Sequence, residues 1–397
     1  MTLNLNTLSS LFVKALFVII LLELFLLGSG QFISISGISL RMLFYTSAIM
    51  LSTILILQGI KTQRLVFLFL LIYISMLSFS SLLGILNGAS ISSILENIKP
   101  LIFAFMIIPF SLFIINLKRV YLVGKLIKIS GLFMSVSLIS LLIFLYFGYI
   151  DFNAMYIILS SDANDFMINN ADIPRIFYKG FLYVCIAFIF YTYSNNKYKV
   201  LILSLLFISI VLTFTRGFLL ALILSFVFIS IIEFKQKKSF YILLTIFIGL
   251  AILLPFYVNI IGERDVSDSI RILQIKEVFD SITISSFFIG HGYGIGVPTR
   301  PNGMEITFLE IFHKQGILGL FLWIGFLFYM IFNYLNIRNL AYKKMFKPFL
   351  VSTFFVYFQS LTNPYLNNPI GMSMVLLAFS VLLVILNIEK KERMVQC

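Results

Sequence analysis

The chain has 397 residues, of which 60% are hydrophobic and 11% charged, with a mean hydropathy of +1.06 and a formal net charge of +13. Soluble domains carry about 25% charged residues, so this composition excludes a soluble globular protein and implies an integral membrane protein. Two cysteines, Cys185 in an apolar run and Cys397 at the last position, are too few and too poorly placed for a disulfide framework or a cysteine metal site.

Along the chain, apolar runs long enough to span a bilayer fall near 11–28, 42–60, 65–86, 98–116, 126–149, 176–193, 198–213, 217–234, 239–261, 305–332, 346–362 and 370–388. The expectation is an all-α polytopic membrane protein of about 12 transmembrane helices, a single transmembrane domain over 1–397 without repeats or long linkers. The first run follows Lys14 and lacks a small-residue cleavage site, which reads as a retained span.

Numbering the connections alternately sorts the charges. One set holds Lys61, Arg64, Lys118, Arg119, Lys125, Lys128 and the clusters Lys197/Lys199, Lys235/Lys237/Lys238, Arg338/Lys343/Lys344/Lys347 and Lys390/Lys391/Arg393, against only Glu233, Glu389 and Glu392. By the positive-inside rule this set is cytoplasmic, with both termini inside. The excess positive charge is therefore a topology signal, and no nucleic-acid partner is expected. The opposite side carries six arginines, Arg41, Arg175, Arg216, Arg264, Arg271 and Arg300, mixed with most of the acids. Such a mixture reads as a site, except that Arg41 and Lys99 are expected to be interfacial cations snorkelling to headgroups.

Two external loops, 150–175 and 262–304, exceed a turn, and long loops on one face mark where chemistry takes place. In the first, "SDAND" at 161–165 reads as a solvated acidic stretch rather than a metal site. Between the loops, 198–234 is apolar except for "TFTRGF", and both flanks are cytoplasmic by charge. Two crossings in so short a stretch give helices shorter than the roughly 30 Å hydrocarbon core, so the turn holding Arg216 is expected to be recessed and to need an anionic partner. A lipid phosphate or diphosphate suits the planar guanidinium fork.

In the second loop, "SDSIRILQIKEVFDSI" at 267–282 sets Ile272, Ile275, Phe279 and Ile282 at helical spacing, predicting a short amphipathic helix on the outer membrane surface. Arg264 and Arg271, seven apart, share a face if that helix extends back. "GHGYGIG" follows at 290–296. It lacks the Lys-Ser/Thr of a P-loop, and its glycines are expected to form a tight turn near a lipid headgroup.

Pro298, Pro301 and Gly303 then break the chain ahead of Glu305, which opens the tenth apolar run. A carboxylate there is favoured by the helix dipole, so a structural cap and a functional acid are both open on the residues alone. Glu310 and Lys314 are spaced as an ordinary helix ion pair, and His313 with His291 is too sparse for a metal site.

The order of these features, a "TRG" turn, a long external loop, "IGHGYGIG", an acidic helix start continuing "FLEIFHKQGILG", and "LTNPYLNNPIGM" at 361–372, resembles the bacterial O-antigen ligase and polymerase superfamily. The resemblance covers roughly 170–370, and the polymerase (Wzy-type) members are the nearer match. In the ligases a His-Asn pair opens the helix after the loop; here Glu305 and Ile306 stand in its place, as fits the polymerases.

The resemblance implies a GT-C-like membrane fold and a glycosyltransferase that joins undecaprenyl-diphosphate-linked oligosaccharide repeats into O-antigen, capsule or a related surface polysaccharide. It implies metal-independent inverting transfer on the outer leaflet of the bacterial cytoplasmic membrane, without a cofactor, with a chain-length regulator as a further partner. Glu305 would be the general base. Arg216, Arg175, Arg271, Arg264 and Arg300 would hold the diphosphate, with His291, Gly292 and Tyr293 as further loop contacts. An O-antigen ligase and a lipid-linked oligosaccharide flippase are the alternative readings.

Overall fold

The computed structural model describes residues 5–28, 34–35, 38–160, 166–169, 175–233 and 265–396. The apolar runs become helices, closed where polar side chains cap their free N–H groups. Helix α1 (Leu5–Leu26) leads to a two-stranded hairpin, β1 (Ser34–Ile35) with β2 (Ile38–Ser39), whose last residue caps α2 (Leu40–Leu57) by accepting from Met42 N. After α3 (Arg64–Leu86), Ser90 caps α4 (Ile91–Leu101) through Ser93 N. Pro100 ends α4, and a 3₁₀ turn (Ile102–Met106) passes the chain to α5 (Ile107–Phe113). Asn116 caps the long α6 (Leu117–Tyr146).

The first long loop holds α7 (Phe152–Ser160) and an antiparallel hairpin, β3 (Phe166–Asn169) with β4 (Arg175–Tyr178), which pairs Asn169 with Arg175. Three shorter apolar helices follow, α8 (Leu182–Thr192), α9 (Lys199–Leu212) and α10 (Arg216–Ile232). In the second loop lie α11 (Asp265–Asp280) and α12 (Ile284–Ile289). The chain closes with α13 (Thr307–Asn336), α14 (Leu340–Gln359) and α15 (Pro369–Gln396).

Among the described residues six helices are long and apolar enough to cross a membrane: α2, α3, the α4–α5 unit Ile91–Phe113, α6, α13 and Pro369–Met394 of α15. These support an all-α membrane protein. The expected twelve are not reached among the described residues. Helices α8, α9 and α10 are apolar but short, and the run at 239–261 lies outside the described residues, as do Arg264 and "SDAND". At 1.5 Å per residue, α9 and α10 measure about 21 and 26 Å, short of the roughly 30 Å hydrocarbon core, as the spacing of "TFTRGF" predicts.

The core is centred on the C-terminal helix. The most apolar stretch of α15 is 89% buried, against 17% for α2, so α15 is the hub and α2 a helix of the rim. Around that hub the charges separate into two ends. One gathers Arg41, Arg175, Arg216 and Glu305; the other gathers Glu233, Lys347, Glu389 and Arg393. Arg41 departs from expectation. It is 6% exposed and ion-paired to Glu23 of α1 at 2.9 Å, so it does not snorkel outward. A guanidinium among apolar helices costs least when a carboxylate neutralises it, and α1 supplies one.

Candidate active site

Gly316 breaks α13. At φ 63° and ψ −162° it leaves the helical region, and a Cβ there would lie 2.3 Å from the carbonyl carbon of Phe288. The break frees two helix carbonyls, and the glycine-rich loop takes them: His291 N donates to His313 O at 2.8 Å and Gly292 N to Lys314 O at 3.0 Å. On its other side Gly292 sits against α3, where a Cβ would meet Gly84 N at 2.1 Å. These loop glycines therefore wedge backbone between α3 and the broken α13. The expected tight turn is there, with positive φ at Gly290, Gly292 and Gly294, and its glycines serve close backbone packing. His291 lies 4.6 Å from His313, ring to ring, and burial pushes its imidazole below the ordinary value against a hydrogen bond at Ser281 that raises it.

Beyond the wedge, the chain returns through Val297, Arg300 and Met304 to Glu305. Helix α11 lies over this return, with Val278 packed on Val297 and Met304, and Glu277 accepts from Thr299 N at 3.1 Å. The predicted apolar stripe faces outward, Ile272 and Phe279 being 67% and 62% exposed. The adjoining face, Arg271, Gln274 and Val278, meets the protein. Gln274, completely buried, accepts from Glu305 N at 3.2 Å.

Two arginines hold the Glu305 carboxylate. Arg271 Nε donates to Oε2 at 3.0 Å and Arg300 Nη2 to Oε1 at 2.7 Å. Glu305 is itself one wall of a cavity of about 390 Å³, lined also by Glu96, Asn97, Tyr293, Arg300, Glu310, Lys314 and Asn367. Glu310 and Lys314 form the expected i,i+4 pair at 2.5 Å, yet their side chains are only 12% and 3% exposed, and Asn367 donates to Glu310 Oε2 at 3.1 Å. They are part of the cavity wall, not a solvated pair on the helix surface. Tyr293 also lines it, its hydroxyl engaged by Gln315, whereas His291 and Gly292 do not.

Arg175 and Arg216 both adjoin the turn between α9 and α10. Phe214, the one non-glycine residue with positive φ among those described (50°), turns the chain between α9 and α10, and the Arg175 guanidinium lies 5.5 Å from its ring centroid. Arg216 follows two residues later at the first position of α10, whose N-cap Thr215 makes no side-chain capping bond. Gly217 packs on Gln359, a completely buried side chain with neither amide atom hydrogen-bonded among the described residues. The same C-terminal turn backs the cavity: Thr307 N donates to Ser360 O at 3.0 Å, and Thr307 Oγ1 to Asn363 O at 3.1 Å. One turn thus adjoins both arginine groups. Arg264 lies outside the described residues.

Comparison with known proteins bears on this region directly. Residues 201–324, from α9 through the first half of α13, match the family described as O-antigen ligase. The resemblance read from the sequence holds. Over 376 residues the chain is 28% identical to an O-antigen polymerase of Shigella flexneri, covering 92% of each chain. No solved structure matches. The matched segment contains Arg216, Arg271, Arg300 and Glu305, while Arg175, Glu96 and Asn367 lie outside it.

Sequence reasoning missed Glu96, Gln274 and Asn367. Glu96, Asn97 and Pro100 are spaced as one face of α4, and Arg271, Gln274 and Val278 as one face of α11, so helical periodicity held the signal for two of the three. For Asn367, in a turn, no such signal exists.

Proposed function

We propose that this protein is a polymerase that joins undecaprenyl-diphosphate-linked oligosaccharide repeats into a surface polysaccharide, on the outer leaflet of the bacterial cytoplasmic membrane. The observation that carries this reading is the Glu305 carboxylate, held between Arg271 and Arg300 at the wall of a polar cavity among apolar helices. The likeness to an O-antigen polymerase over nearly the whole chain supports it. Both termini lie in the cytoplasm by the lysine distribution, and the arginine end faces outward.

In this reading the donor is the growing glycan on its lipid diphosphate, and the acceptor a hydroxyl of the next lipid-linked repeat. The diphosphate draws Arg271 and Arg300 from Glu305, because guanidinium forks bind phosphate oxygens bidentately and a diphosphate carries more charge than one carboxylate. Arg216 and Arg175 bind it from the side of the α10 N-terminus, where Thr215 supplies no side-chain cap and the Gln359 Nε2 donor is unpaired among the described residues, which favours an anion. Glu305, released, accepts the acceptor hydroxyl proton. The acceptor oxygen attacks the anomeric carbon from the face opposite the diphosphate, the anomeric C–O bond breaks, and its electron pair leaves with the diphosphate, inverting the centre. The arginines stabilise the charge that develops on the leaving group, so the chemistry asks for no metal.

Deleting the protein and resolving the surface polysaccharide on a gel tests the reading. Loss of a polymerase leaves core capped with a single repeat; loss of a ligase leaves bare core; loss of a flippase leaves repeats facing the cytosol. Purified protein reconstituted with lipid-linked repeats should lengthen the glycan without added metal or cofactor. Bare core in the deletion strain would transfer the assignment to a ligase.

A further inference from the structure

Helix α4 buries Ile94, Asn97 and Leu101 and leaves Ile91, Leu95 and Glu96 exposed. Ile91 and Leu95 are 70% and 61% exposed on one side of the helix, while on the other Asn97, buried, Pro100, half-buried, and Glu96, itself exposed, line the cavity. In a bilayer, polar residues of a spanning segment turn to the protein interior only where water or a ligand meets them, and there they mark substrate paths. Asn97 secures this face to the loop, accepting from Gly294 N at 3.1 Å and donating to Asn302 O at 2.8 Å. The neighbouring Glu96 is different.

Three carboxylates line the cavity. Glu305 is held by two arginines, and Glu310 by Lys314 and Asn367. Glu96 has no hydrogen-bond or ion-pair partner among the described residues. An acceptor-only group left free at the wall of a polar cavity recognises donors, and hydroxyl pairs are the donors a carboxylate binds with both oxygens. At about 390 Å³ the cavity falls within the range of small-molecule sites, large enough for a sugar ring.

We propose that the α4 wall is the subsite for the acceptor sugar, with Glu96 hydrogen-bonding its ring hydroxyls beside the hydroxyl that Glu305 activates. This inference rests on the polymerase reading above. With three carboxylates and only Arg300 and Lys314 as cations among the lining residues, both already paired, the wall selects a neutral or amino sugar and rejects a uronic or other acidic one. Glu96 acts on binding, not on the proton transfer.

The test uses full-length protein in lipid nanodiscs, a fixed amount of labelled polymer-bearing lipid diphosphate as donor, and varied single-repeat lipid as acceptor. Glu96→Gln keeps the size but weakens the charge-assisted bonds. It should raise the acceptor KM about tenfold or more, leave the donor KM unchanged and alter kcat by less than about threefold, with the same pH profile. Glu96→Asp should recover part of the affinity. In parallel, the free repeat oligosaccharide released from its lipid should be retained by immobilised wild type and lost from the Glu96→Gln variant. An unchanged acceptor KM with equal oligosaccharide retention overturns the subsite. So does a collapse of kcat with loss of the acidic limb of the pH profile, which would make Glu96 the base. If wild-type protein retains the oligosaccharide through Glu96 but lengthens no glycan, the subsite stands and the polymerase reading falls.

Discussion

The two charged ends of the bundle use the same groups for opposite purposes. At the lysine-rich end the carboxylates close the fold: Glu389 Oε1 accepts from Arg338 N and Asn339 N at 2.8 and 3.0 Å, stitching α15 to the link between α13 and α14. Glu233, at the end of α10, accepts from Lys347 at 2.6 Å and from the Tyr334 hydroxyl. At the arginine end, Glu305 and Glu310 are also paired, but they and their partners Arg300, Lys314 and Asn367 line an open cavity rather than filling the space between helices. A carboxylate that satisfies backbone N–H groups is finished. One bridged by two guanidiniums beside a cavity can exchange its partners for a ligand. The comparison separates fold from site without appeal to residue type.

The largest effect should fall on Glu305. Glu305→Gln keeps the shape and removes the proton acceptor, so the extension rate should drop by about 10² to 10⁴, while donor lipid still binds. Reconstituted extension assays check it, and full activity would make the arginine end as structural as the lysine end. Gly316→Ala comes next. A Cβ in a backbone conformation reserved for glycine, against Phe288, should cost about 3 kcal/mol, read as a lowered unfolding temperature in detergent. Gly325→Ala, in the same helix with nothing within 4 Å, should be neutral or stabilising by less than about 1 kcal/mol. Arg271→Lys follows. Lysine preserves the charge but not the fork, and the donor KM should rise about tenfold with folding intact. An unchanged donor KM would assign Arg271 to holding the loop.

How much of this could be read from the sequence depends on the range of the interaction. Hydrophobic runs, lysine asymmetry and the stripe of α11 are local patterns, and the helices, the two charged ends and the outward-facing Ile272 and Phe279 follow them. Arg216 at a short turn was legible because span length is a sum over neighbours. The pairing of Arg271 with Glu305 was not, since the loop must fold back over 34 residues to make it. Nor was the burial of Arg41, which depends on Glu23 in another helix. The glycine loop was legible as a turn but not as a wedge, for a physical reason. Positive φ and absence of Cβ serve a phosphate turn and a backbone wedge equally, and only the facing glycine and the break at Gly316 decide between them.

The smallest effect should be found at the opposite end, and it tests the comparison most directly. Glu233→Gln loses the charge opposite Lys347 but retains an acceptor for the Tyr334 hydroxyl. The carboxylate and its lysine are 11% and 22% exposed, more sheltered than a surface pair, yet Lys347 can still reach solvent and lies 4.9 Å from the Tyr193 ring, whose face attracts the cation. The expected loss is therefore about 1 kcal/mol, smaller at high salt, because screening already weakens a partly exposed pair. Extension activity should be unchanged within about twofold, since no group at that end touches the cavity and a uniform loss of stability lowers the amount of folded protein rather than its turnover. A selective fall in kcat with normal stability would instead couple the two ends through α10, whose first residue is Arg216 and whose C-cap is Glu233.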